Sequence, residues 1–431
     1  MDPEPNTFKS LSIKGWRQFK RIAIDFHPQL TVLTGANGAG KTTLINILSQ
    51  HFGWGFRYFA TPRHKREGGY EYQMGIFEAE ETSPQFGNWR KVGALTYSNE
   101  ILANLLIPPQ AGIQYDLQVN GQQHVLGFHV PSHRHISFYQ AVGQLTLQPI
   151  LPEQAYANFS TEYMARQQGR HSGSSPLYRI KESLISMAAF GEGNQYIQGN
   201  HASLEAYLGF IDILRKLLPE TVGFQNISIR IPDVVLQTKS GEFLIDAASG
   251  GLMTLIDLAW QIFMFSLNNK EKFIVTMDEP ENHLHPSMQR SLMGNLIRAF
   301  PQVQFVIATH SPFMVSSVRD SNVYVLSVEG DQQGLLHTTD VVSEGSPNLR
   351  VISTQLDHIN KAGSASEILR DVLGVPVTMP HWAEEDLQKV LDTYRSQPFD
   401  NQTLNRLRKE LEALGYMELY PDAISRLIGK Q

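Results

Sequence analysis

Apolar residues recur along this chain with two periods, and the period changes where turn residues fall. Residues 8 to 34 hold three short apolar runs, "LSIKG", "RIAIDF" and "LTVLT", and the last leads into "GANGAGKTTLINIL". Short runs parted by polar turns, then a glycine loop and a helical period, predict strands followed by a loop and a helix. From 73 to 130 come alternating segments, "WRKVGALTYS", "IQYDLQV" and "HVLGFHV", with Asn-Gly at 120–121. Alternation with the commonest hairpin dipeptide predicts an antiparallel sheet.

Residues 153–218 turn helical, interrupted by the Gly/Ser-rich "GRHSGSSP" at 169–176, which reads as a loop. "FQNISIRI", "VVLQTK" and "FLIDA" return to strand before a helix that starts at Ser249. Then "FIVTM", a helix from Pro286, "QFVIATH", a helix from Pro312 and "NVYVLSV" alternate, as the strands and helices of a parallel sheet do. From 363 onward, "SASEILRDVL", "EEDLQKVLDTY", "QTLNRLRKELEAL" and "DAISRLIG" are amphipathic helices. The expected division is a core over 1–58 and 224–340, a β subdomain and helical insertion over 59–223, and a helical region over 341–431.

Composition narrows the classes of function. With 42% apolar residues in 431, the chain has ample material for a packed core. A formal charge of −6 gives no global attraction to nucleic acid or anionic membrane, so such binding needs a local patch. One candidate is "RYFATPRHKREGG" (57–69), which mixes Arg57, Arg63, Lys65 and Arg66 with aromatics. A solvated loop is the blander account of that stretch. The absence of cysteine excludes disulfides, thiol catalysis and zinc-thiolate sites. The start, "MDPEPNTFKS", has no signal-peptide pattern, and "LMTLIDLAWQIFMFSL" falls short of a bilayer span, so a cytoplasmic protein without membrane contact is expected.

"GANGAGKT" satisfies G-x-x-x-x-G-K-[ST] between a strand and a helix, where a phosphate loop has to sit. Residues Gly35, Ala36, Asn37, Gly38, Ala39, Gly40, Lys41, Thr42 and Thr43 are the candidate nucleotide contacts. The glycines let backbone N–H groups close on phosphates, Lys41 reaches the terminal ones and the Thr42 hydroxyl ligates Mg²⁺. "FIVTMDE" supplies the acidic partner at the carboxyl end of a buried strand: Asp278 for the Mg²⁺ shell and Glu279 to polarise a water. His283 and His285 in "DEPENHLHP" read as a turn or cap pair rather than a transition-metal pair, since no third nitrogen or sulfur ligand is near in sequence. Ser249, Gly250 and Gly251 open a helix and form a second anion site, and His310 ends a strand where it can bind a γ-phosphate.

In this order the motifs resemble the soluble branch of ABC-type ATPases that includes RecF, SMC and OLD-type proteins. "SGG" is similar to the core of that group's signature motif, "DEPENHLHP" to its Walker B and D-loop, and "ATHSPF" to its switch-histidine loop. The resemblance implies an α/β P-loop NTPase fold with an antiparallel β subdomain, a helical insertion and a helical tail. It also implies a head-to-tail dimer that sandwiches two ATPs between one subunit's phosphate loop and the other's Ser249. Glu279 is then the general base, Lys41 and His310 complete the catalytic set, and Arg17 and Trp16 are candidates to approach the nucleotide.

The stretch between Lys41 and Ser249 exceeds what a compact ABC domain needs, yet lacks the sustained heptads of an SMC coiled coil. A Q-loop glutamine has no clear counterpart, Gln140 being the nearest candidate. "SVEGD" (327–331) resembles the start of a TOPRIM nuclease domain, but no Asp-x-Asp follows in 332–431. The tail instead resembles stand-alone defence ATPases of Septu-like systems, which implies a separately encoded nuclease effector. The alternative is a RecF/SMC-like DNA-repair or DNA-binding ATPase without one.

Overall fold

The computed structural model describes residues 5–329 and 350–427, except 65–68, 76–86, 111, 134–137, 171–172, 194, 197, 358–360, 374–380, 396, 398–399, 421–422 and 425–426. Strands β1 (Phe8–Trp16), β2 (Phe19–Asp25) and β3 (Leu30–Gly35) lead into helix α1 (Lys41–Ser49). Seven short strands follow: β4 (Tyr58–Phe59), β5 (Thr61–His64), β6 (Tyr70–Gln73), β7 (Arg90–Tyr97), β8 (Leu102–Ile107), β9 (Gln114–Tyr115) and β10 (Gln118–Asn120). After β11 (Gly127–Val130) come helices α2 (Pro152–Gln167), α3 (Pro176–Gly191) and α4 (His201–Leu217). A three-stranded meander, β12 (Phe224–Arg230), β13 (Asp233–Thr238) and β14 (Gly241–Leu244), precedes α5 (Gly250–Asn268). The chain then alternates through β15 (Phe273–Asp278), α6 (Pro286–Ala299), β16 (Val303–Ala308), α7 (Pro312–Val315) and β17 (Asn322–Val328) before β18 (Val351–Gln355).

Eleven of these strands form one sheet, ordered β10-β8-β7-β1-β2-β18-β17-β3-β16-β15-β11. The β17-β3-β16-β15 portion is parallel, and β1, β7, β8 and β10 pair antiparallel beyond it. The predicted α/β architecture with an antiparallel flank is therefore present, the flank being continuous with the main sheet. β3, β15 and β16 are buried at every position, as strands covered on both faces must be. Their side chains alternate between two cores: Val32, Val275 and Ile307 join the core beneath α5 and α6, whereas Leu33, Ile274 and Val306 join the one beneath α1.

Two expectations fail here. Asn120-Gly121 does not close a hairpin, because β10 pairs with β8 while β11 crosses to the far edge and runs parallel to β15. Three of the four β11 residues are buried, which suits a position beside the innermost strands better than an exposed ribbon. The region from 341 onward is also not helical throughout, since β18 pairs with β17 and β2 inside the sheet.

Helix α5 is long and apolar enough to cross a membrane by composition. Here it is a core helix: Trp260 is fully buried and meets Phe210 of α4 edge-on at 5.0 Å between ring centroids. The tail divides in two. Ile368, Val372 and Leu373 are buried in the main core, but Leu387, Val390, Leu391, Leu407 and Leu411 form a separate cluster between the helices His381–Tyr394 and Asn401–Ala413. Those two helices cover each other's apolar stripes. Deleting 381–431 should therefore leave the melting temperature of the remainder within about 2 °C, whereas deletion from 363 removes core side chains and should lower it by roughly 5 °C or more. A circular dichroism melt of both truncations decides this, and equal melting temperatures would contradict the division.

Candidate active site

The site is built where β3, β16 and β15 end side by side. β3 turns through Gly35 at φ 135°, where a Cβ would sit 2.3 Å from the Leu326 carbonyl oxygen. Gly40 at φ 101° is equally constrained, with a Cβ falling 2.4 Å from the Phe19 ring. Only glycine fits such a turn at such an approach. The loop delivers the chain to α1, whose N-terminus carries no side-chain cap, so its N–H groups point outward for an anion. Ala36, Asn37 and Gly38 form an exposed lip, while Ala39 is buried against the hairpin. Thr43 is half-buried on the first turn of α1.

Lys41 is 5% exposed, and its Nζ donates to the Gly35 and Ala36 carbonyls at 2.9 and 3.1 Å. Burial lowers its pKa to about 8, against the opposing pull of Glu279, Asp278 and Glu281. The Thr42 hydroxyl donates to Asp278 Oδ2 at 2.9 Å, so the two groups assigned to Mg²⁺ are already in contact. A hydroxyl and a buried carboxylate are oxygen donors of the kind Mg²⁺ takes, and the pair fits that ion. Glu279 stands at φ 47°, a left-handed conformation that costs a non-glycine residue roughly 1–2 kcal/mol. The turn directs its Oε1 to within 3.6 Å of His310 Nε2, and its Oε2 accepts from Asn282 Nδ2 at 3.0 Å. His310 Nδ1 lies 3.4 Å from Lys41 Nζ. Burial, reinforced by the Lys41 charge, lowers the His310 pKa and favours the neutral ring.

Lys41, Thr42, Asp278, Glu279 and His310 are thus one constellation, as their strand-end positions predict. Ser249 and Gly250 are exposed, and Ser249 caps α5 by accepting from the Leu252 N–H. Gly251 opens the helix against the Asp278-to-Pro286 turn, where a Cβ would lie 3.0 Å from the His283 carbonyl oxygen. The described bonds of this segment are local to α5 and that turn. His285 caps α6 through Nδ1, which accepts from the Ser287 N–H, and His283 adopts φ 69° beside Gly250.

Two candidates change, Trp16 and Gln140, and a third, Arg17, keeps its place at the hairpin. Trp16 is fully buried, its indole N–H donating to the Tyr115 hydroxyl at 3.1 Å, so it is a core residue. Gln140 is committed to Gly173 and Ser175 and takes no described part in the site. Arg17 holds a left-handed turn with its guanidinium 5.6 Å from the centre of the Tyr58 ring, next to Gln18. Gln18 was not foreseen: its Nε2 donates to the Gly38 carbonyl at 3.3 Å, so the hairpin reaches the phosphate loop through the neighbouring residue. Arg63 lies exposed on β5 and Arg57 donates to Gln114, while Lys65 and Arg66 fall outside the described residues. Glu281 and Thr309 also join the site through a tertiary hydrogen bond that no spacing announces, and Asn282 joins it through a local one to Glu279.

A family model described as an AAA domain matches residues 10–82, and one described as an AAA ATPase domain matches 174–315. The chain is 28% identical over 186 residues to the Septu protein PtuA of Bacillus mycoides, covering 42% of this chain and 23% of that protein. It is 22% identical over 218 residues to the Septu protein PtuA of Bacillus thuringiensis, covering 46% and 52%. The Retron Ec83 probable ATPase of Escherichia coli is 28% identical over 125 residues, covering 27% and 22%. The alignments thus span about half or less of these relatives. Among solved structures, the SMC head domain from Thermotoga maritima aligns at 13% identity with a TM-score of 0.42, over 81% of this chain and 99% of that one. The two family matches contain, between them, the phosphate loop, Asp278, Glu279 and His310, and over those segments the chain resembles AAA ATPase domains and, in part, the Septu and retron ATPases.

Proposed function

We propose that the protein binds ATP with Mg²⁺ and hydrolyses it in a head-to-tail dimer that controls a separately encoded effector, a nuclease in antiviral defence. The supporting observation is the convergence of Lys41, Asp278, Glu279 and His310, from three strand ends, within the short distances given above. Loop N–H groups and Lys41 hold the β- and γ-phosphates. Thr42 and Asp278 hold Mg²⁺, which when bound neutralises charge on the phosphates. Glu279 takes a proton from a water as its oxygen attacks the γ-phosphorus, and the bond to the β–γ bridging oxygen breaks, with ADP leaving. His310, kept neutral, orients on the γ-phosphate and keeps Glu279 in place.

Ser249 and Gly250 are exposed, which suits a role on the partner subunit's nucleotide, and Gly251 lies beside them. Arg17 lies at the hairpin flanking the phosphate loop and is assigned to the nucleotide's outer edge. The resemblance to Septu proteins supports the effector. The exposed Arg63 leaves nucleic acid as a ligand to be tested by the same binding assays.

Glu279→Gln should retain ATP and Mg²⁺ while turnover falls by about 100-fold or more, because the base is lost and the shape kept. Lys41→Ala should lose nucleotide instead. Steady-state hydrolysis beside equilibrium binding separates the two, and near wild-type turnover by the Gln variant would remove Glu279 from the role of base.

Lys41 also sets a pH dependence. Without a phosphate beside it, its folded pKa is about 8 against 10.5 for a free lysine, so the cost of burying the charge is full below about 8 and relieved toward 10.5. A triphosphate favours the charged form, so binding should draw in a proton above about pH 8 and weaken as pH rises further. Calorimetric titrations in buffers of different ionisation enthalpy measure this uptake. Binding enthalpy independent of buffer at pH ~9 would contradict it.

A further inference from the structure

Glu281, the third carboxylate of "DEPENHLHP", has no part in the chemistry above, yet it is as buried as Asp278, each 7% exposed. Burying a carboxyl is costly unless it is well paired, and an apolar side chain would fill the space at lower cost. Its Oε1 accepts from the Thr309 hydroxyl and from the His310 backbone N–H, the latter at 3.2 Å. Its Oε2 is buried with no hydrogen-bond partner. Thr309 is held from the other side, since its carbonyl accepts from the Thr34 hydroxyl at 3.0 Å and its N–H donates to Leu33. Its hydroxyl also accepts from the Ser311 N–H at 2.9 Å.

We propose that Glu281 is a positioning residue for hydrolysis: its carboxyl pins the Thr309–His310 backbone to the turn that carries Glu279, and so fixes the imidazole between Lys41 and Glu279. The inference rests on the ATPase reading and adds a residue to it. The pinned segment is short, and His310 lies within 4 Å of both its partners, so a small drift of its backbone breaks the line. The same turn reaches the signature helix. The Asn282 carbonyl accepts from Thr254 Oγ1 at 3.4 Å, and His283 packs on Gly250 and Gly251.

The test compares wild type, Glu281→Ala, Glu281→Gln, Thr309→Val and the Ala/Val double variant, each checked by a thermal melt. Glu281→Ala should lower kcat roughly tenfold or more with KM within about threefold, because Lys41 and Asp278 are untouched. Glu281→Gln keeps an accepting oxygen and should return kcat to within about threefold of wild type. Thr309→Val cuts the same link, so the double variant should be no slower than the slower single. Hydrogen exchange over 309–311 should speed up in Glu281→Ala and Thr309→Val alike. A Glu281→Ala kcat within about threefold of wild type, or losses that multiply, would overturn the proposal. If the wild type binds ATP without turning it over, the functional reading fails by itself, and exchange still decides: unchanged protection at 309–311 in both variants overturns the pinning.

Discussion

The hydrogen bond from Thr42 Oγ1 to Asp278 Oδ2 joins residues 236 apart in sequence, and the arrangement of the site follows from it. It forms only because β3, β16 and β15 lie parallel and adjacent, with Ala308 level with Leu33 on one side and with Asp278 on the other. Parallel pairing puts the three carboxyl ends on one edge, and the edge is where a sheet of this kind opens to ligands. The long insertion between α1 and α5 flanks this edge, as its antiparallel strands attach at β1 and its single parallel strand attaches beyond β15.

That edge carries features a purely structural edge would avoid. Lys41 and Glu281 are charged-type groups buried beside each other's field, and Arg17, Glu279 and His283 all hold left-handed backbone. Several local rules are broken together at this edge, and the two-faced core around it tolerates that. Burial that weakens the hold of Lys41 on its proton also readies it for phosphate, since a polyanion returns the electrostatic partner that solvent no longer supplies. The exposed Ser249 and Gly250 stand apart from this cluster on their own helix end, which is consistent with a partner's nucleotide as their target.

Much of this was legible in the sequence because it is locally encoded. The phosphate loop sits between an apolar run and a helix, Asp278 and Glu279 end a run of buried β-formers, and His310 ends another. What was illegible depends on pairing over distance. Asn120-Gly121 looked like a hairpin, but the chain beyond it crosses the sheet, and dipeptide chemistry fixes the turn without fixing the partner strand. Trp16 and Gln18 are two apart on one hairpin, and only the fold shows that the tryptophan faces the core and the glutamine faces the loop. Glu281 was visible as a carboxylate, while its bonds to Thr309 and His310 needed β15 and β16 side by side.

In the proposed dimer, one chain supplies a phosphate loop with its base, and a second chain supplies Ser249. Mixing Ser249→Arg protein with Lys41→Ala protein tests it most directly. Each variant alone should be inactive, while the mixture should regain turnover, because a heterodimer holds one site with an intact loop from one subunit and an intact Ser249 from the other. Unchanged ATP hydrolysis by Ser249→Arg alone, or no turnover in a mixture shown to form heterodimers, would contradict the account.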